Sequence, residues 1–115
     1  MTDTPTLPAS GAGRLASSYP ALWKHYTGLG AAVADAGLLT SRERRLVKLA
    51  LAIGADSEGA THSHARQGAD EGIAAADLRQ VCLLAITTLG FPAAMASLSW
   101  VNDILEPTEP KEDKS

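Results

Sequence analysis

Apolar residues recur along this chain at spacings of three and four, the period of helices with one face turned inward. The pattern predicts five helices between two polar tails, 1–13 and 106–115, both rich in Pro, Thr, Ser or charge and expected to be mobile. The first runs from Arg14 or Pro20 to Ala34, with Tyr19, Leu22, Trp23, Tyr26 and Leu29 marking one face. Thr40-Ser41-Arg42-Glu43 opens the second, which continues to Ile53; a Thr with Glu three positions on can satisfy the free amides of a helix start reciprocally. A third spans about Ser57 to Glu71 and stops at Gly72, a residue suited to the left-handed position that follows a helix. The fourth, Asp77 to Leu89, is apolar nearly all round and is expected to be the central buried helix, ended by Gly90. Pro92 stands in the first turn of the fifth, where its missing N–H costs nothing, and that helix runs to Leu105.

Composition supports one all-α domain over 14–105. Of the 115 residues 45% are apolar and only 4% aromatic, which suits closely packed Ala- and Leu-rich helices rather than a β-sandwich. A chain this short has little interior in which to hide a fourth and fifth helix of such low polarity, so association of identical copies is expected. Net charge is −3 with no basic block, which argues against nucleic acid as a partner. No apolar run is long enough to span a bilayer, and 1–12 lacks the pattern of a secretory leader, so the cytoplasm is expected and a membrane is not. Cys82 is the single cysteine, which rules out an internal disulfide and any thiolate metal cluster.

The third helix carries the candidate chemistry. Glu58, His62 and Arg66 are spaced by four and share one side; Ser57, Ala60 or Thr61, His64 and Gly68 share another. His62 and His64 diverge by about 160° around the helix, so they cannot hold one ion together. Glu58 and His62 have the right spacing, but two ligands make no site, and no metal is expected. Glu58 can instead hold His62 in one tautomer for acid/base work, although charges spaced in this way more often form a solvated face. Beside His64 the side chains are small, leaving room either for a ligand or for a closely packed helix. Lys48 lies near Arg44 and Arg45 on the second helix and suits either a polar edge or a substrate carboxylate.

Arg42-Glu43-Arg44-Arg45-Leu46-Val47-Lys48-Leu49-Ala50, then Gly54, Ser57, His64-x-Arg66, Gly72 and Gly90-Phe91-Pro92-Ala93-Ala94 occur in an order and spacing that resemble the carboxymuconolactone decarboxylase and alkylhydroperoxidase D family, over about Leu38 to Leu105. The resemblance implies a helical homo-oligomer, a trimer or a hexamer of trimers. The family's peroxidases carry Cys-x-x-Cys, a His four residues later and a Glu twelve residues earlier. Here those positions hold Ser57, Ala60, His64 and Arg45, so the thiol pair is missing and peroxidase or antioxidant chemistry is opposed. The decarboxylase branch implies instead a cofactor-free lyase or isomerase acting on a small carboxylated metabolite. In that reading His64 is the acid/base residue, assisted by Glu58 and His62, while Arg66, Lys48 and Ser57 bind substrate. The competing expectation is a non-catalytic oligomeric binding or accessory protein on the same scaffold.

Overall fold

The computed structural model describes residues 11–106; the remainder of both expected tails lies outside the described residues. Among the described residues there are helices and turns and no strand. Six α-helices are present rather than five, because the first expected helix is two: α1 Gly11–Ser18 and α2 Pro20–Ala34. The break falls at Tyr19 (φ −135°, ψ 68°), since a residue before proline is pushed out of helical conformation and Pro20 has no N–H to donate. The helix thus begins inside the expected N-terminal tail. The rest are α3 Ser41–Gly54, α4 Glu58–Asp70, α5 Ala75–Leu84, a 3₁₀ turn Ala85–Thr87, and α6 Phe91–Leu105.

The chain divides into two compact units at Leu38/Leu39. In the first, α1 and α2 pair with each other, and the Trp23 and Tyr26 rings pack with centroids 5.6 Å apart. In the second, α4 packs on α3 and α6, and α5 packs on α6. Their shared core holds Leu49 and Ile53 from α3, Ala65 from α4, Leu78 and Cys82 from α5, and Ala94 and Val101 from α6.

Local chemistry fixes both ends of the elements that matter for the site. At the start of α3, Thr40 Oγ1 accepts from the Glu43 amide at 3.1 Å while Glu43 Oε1 accepts from the Thr40 amide at 2.8 Å. The helices α3 and α4 end alike. The Ser57 amide reaches back to the Ala52 carbonyl and the Asp56 amide to Ile53; the Ile73 amide reaches Gly68 and the Gly72 amide reaches Ala69. Each closure needs one residue at positive φ, Asp56 (57°) in the first and Gly72 (90°) in the second. The first closure delivers Ser57 to the start of α4, where its Oγ accepts from the Ala60 amide at 3.2 Å.

The expected central helix is shorter and less buried than its composition suggested. Within one chain α5 buries only Leu78 and Cys82, and Leu84 is 60% exposed. α5 meets the core through Leu78 and Cys82 and presents Val81 and Leu84 to an open apolar groove against α3, also lined by Ala50, Ile53, Gly54 and Leu89.

The α4–α5 approach is close at Gly68, where an added Cβ would stand 2.9 Å from Leu78 Cδ2 and 3.4 Å from Arg45 Cγ. Leu78 is fully buried and has nowhere to retreat. Gly68→Ala therefore sets a helix-propensity gain of up to about 1 kcal/mol against an overpacking cost of about 1–3 kcal/mol. We expect a net loss, read as a melting temperature lower by roughly 4–8 °C for each kcal/mol; a higher melting temperature would show that the helices separate freely here.

Candidate functional site

Three residues from α4 and the turn after it converge on one guanidinium from α3. Arg45 forks onto the Glu71 carboxylate through Nε (3.0 Å) and Nη2 (2.8 Å), donates through Nη2 to Gln67 Oε1 (3.0 Å), and places Nη1 2.7 Å from His64 Nδ1. Four of the five guanidinium N–H groups are thereby used. Only 14% of the Arg45 side chain is exposed. Gln67 is held in turn by donating from Nε2 to Ser63 Oγ at 2.9 Å.

An arginine always donates, so Nδ1 of His64 must accept. That choice settles the tautomer: neutral His64 carries its proton on Nε2, a nitrogen with no hydrogen-bond partner among the described residues. Burial first, then the charges of Arg45 and Lys48, holds the imidazole below the ordinary histidine value of 6.5, with Glu71 opposing. The Arg45 hydrogen bond likewise holds Glu71 below the ordinary carboxylate value of 4.5. The result is a neutral imidazole whose free nitrogen is a hydrogen-bond donor, set beside the exposed ammonium-bearing Lys48.

The other expected site residues fall elsewhere. Glu58 and His62 face α6, where His62 Nε2 stands 3.0 Å from Asp103 Oδ2. Ser57 is occupied as the cap of α4. Arg66 is exposed and continues the Glu58–His62 side rather than the His64 side. Of the small residues beside His64, Thr61 and Gly68 are buried, so at Gly68 the space admits a neighbouring helix rather than a ligand. Arg45, Gln67 and Glu71 were not singled out as site residues by the sequence. One signal did touch Arg45: it falls where the peroxidase pattern places a glutamate, and the structure shows that position in direct contact with His64.

Cys82 is fully buried, and burial pushes its thiol above the ordinary value of 9.0, with a hydrogen bond from Ser97 opposing. That environment is the reverse of the one that activates a thiolate.

The described residues form an all-helical protein in which a histidine on α4 is oriented by an arginine from α3. The model of the carboxymuconolactone decarboxylase family matches residues 20–103, and the chain belongs to that family. Comparisons with curated proteins and with solved structures returned no match. Among the described residues no helix is long and apolar enough to cross a membrane.

The lowered His64 value carries a sign for stability. The unfolded chain binds this proton near pH 6.5 while the folded chain still resists it, so stability contributed by neutral His64 is present above pH 6.5 and is lost as pH falls through the folded value. Histidine proton resonances followed against pH should show one residue titrating lowest, and that resonance should vanish in His64→Gln. Arg45→Met, which removes a neighbouring positive charge, should move its midpoint upward. A His64 midpoint at or above 6.5 would overturn the arrangement.

Proposed function

We propose that this chain is a cofactor-free lyase or isomerase acting on a small carboxylated metabolite, with His64 at its centre. The observation that carries the reading is the 2.7 Å contact between Arg45 Nη1 and His64 Nδ1, which leaves Nε2–H free as a donor. Losing CO₂ from an unsaturated lactone acid breaks the bond to the carboxylate carbon and leaves its electron pair, which passes into a conjugated carbonyl, so that negative charge grows on that oxygen. A neutral imidazole N–H aimed at this oxygen stabilises the charge as it develops. Lys48 draws in the substrate carboxylate. The carbon is then protonated from water.

This refines the role expected of His64. With Arg45 on Nδ1, the free Nε2 already bears a proton and does not act as the base; the imidazole works as an electrophilic donor. Glu58, His62 and Arg66 are turned to the other side of α4 and Ser57 caps the helix, so the proposal rests on His64 and Lys48, with Arg45 as the positioning residue.

The test is a panel of unsaturated lactone acids and keto acids, scored by CO₂ release and by loss of ultraviolet absorbance. His64→Ala should lose about 10²–10³ in kcat, the cost of deleting one preorganised donor. His64→Gln keeps a side-chain N–H and should recover part of that loss, whereas a histidine acting as base would leave both variants equally inactive. Lys48→Gln should raise KM more than it lowers kcat. Wild-type turnover in His64→Ala would sink the proposal, and carboxylate binding without turnover by any panel member would favour the binding-protein reading.

We further propose that copies of the chain associate through the α3–α5 groove into a trimer or a hexamer, as the family resemblance implies. Val47, Leu51, Leu83, Leu84, Leu89 and Phe91 are each 44–66% exposed in the single chain, more apolar surface than an isolated small domain sustains. Light scattering should give an oligomer for the wild type and a smaller species for Leu84→Glu. A wild-type monomer at micromolar concentration would end this proposal.

A further inference from the structure

On the side of α4 away from His64, three metal-ligating side chains come together from two helices. Glu58 and His62 stand one turn apart on α4, and α6 lays Asp103 against them. One donor atom from each lies within 4.8 Å of the others. His62 Nε2 and Asp103 Oδ2 are already 3.0 Å apart. Two ligands each about 2.1 Å from one cation, at the angles of an octahedron or tetrahedron, are separated by about 3.0–3.4 Å. Glu58 is exposed and sits in the first turn of its helix, with a carboxylate oxygen within 4.8 Å of the other two donor atoms.

Charge points the same way. Glu58 has no hydrogen bond or ion pair among the described residues, and Asp103 has only His62 as partner. Two carboxylates thus meet at one imidazole without a lysine or arginine bonded to either. Each of the other three ion pairs among the described residues contains an arginine. A dication balances the two carboxylates, and a mixed imidazole and carboxylate set suits a borderline divalent ion rather than a soft monovalent one.

We propose that Glu58, His62 and Asp103 form a divalent-metal site of Zn(II) type that ties α4 to α6. The objection raised by the sequence was that α4 supplies two ligands; the fold supplies the third from a residue 41 positions further on. Three protein ligands leave coordination positions for water. The site does not depend on the lyase reading, because its ligands lie on the opposite side of the helix from His64.

The full-length protein, stripped with EDTA and desalted, is titrated with ZnCl₂ by calorimetry and with CoCl₂ by visible absorption. We expect one ion per chain with micromolar affinity, and cobalt bands of a low-coordinate nitrogen and oxygen site. Asp103→Asn, a conservative change at an exposed position, should weaken binding by about tenfold or more, equivalent to about 1.4 kcal/mol. His62→Ala should do the same, and His25→Ala should bind as wild type. ZnCl₂ should raise the melting temperature of the wild type and not that of Asp103→Asn. No saturable binding up to about 1 mM ZnCl₂, equivalent to a binding free energy of about −4.1 kcal/mol, would overturn the proposal. Equal affinity in Asp103→Asn, or loss of binding in His25→Ala, would overturn it as well.

Discussion

The Arg45 guanidinium is the constraint on which the second unit is organised. It leaves α3, reaches across to α4 and the turn beyond it, and is almost enclosed by what it binds. An enclosed cation is costly unless its donors are met, and here Glu71, Gln67 and His64 meet four of them. Satisfying the arginine therefore ties α3 to α4 and to Glu71 beyond it, and selects the tautomer of His64. Gly68 belongs to the same constraint, since its missing Cβ is what lets the Arg45 stem and Leu78 close over α4.

That dependence explains why the histidine differs from one paired with a carboxylate. A glutamate at position 45 would favour the imidazolium and leave Nε2 free to exchange protons, the arrangement acid/base chemistry needs. The arginine instead withholds the proton from Nδ1, and burial first, then the charges of Arg45 and Lys48, holds the imidazole below its ordinary value. One residue at one helical position thus sets the sign of the charge beside Nδ1 of the imidazole. The scaffold and the chemistry it carries are set by different residues.

The helices were legible because their signals are local. Thr40 and Glu43 announce α3, Gly72 ends α4 and Pro92 opens α6, each through a contact spanning only a few residues. Pro20 carried an equally local signal, and reading it as an optional start rather than a break merged α1 with α2. The exposure of α5 was hidden for another reason: an apolar sequence states that a surface wants covering, not whether the same chain covers it. The site was legible only in His64 and Lys48, not in the residues that hold the imidazole. Arg45 and His64 are 19 positions apart and His62 and Asp103 are 41 apart, so neither pairing leaves a periodic trace.

Divergence of His62 from His64 on α4 then gives the helix two polar sides with separate roles. On one, a cation donates to Nδ1 of an imidazole; on the other, two carboxylates and an imidazole come together as candidate metal ligands. The two surroundings carry charge of opposite sign, and the small buried residues Thr61, Ala65 and Gly68 fill the core-facing side of the helix between them. Each histidine is governed by the helix it faces, α3 for His64 and α6 for His62. The placement of α4 between those two helices is what allows a short, sparsely apolar segment to present both environments at once.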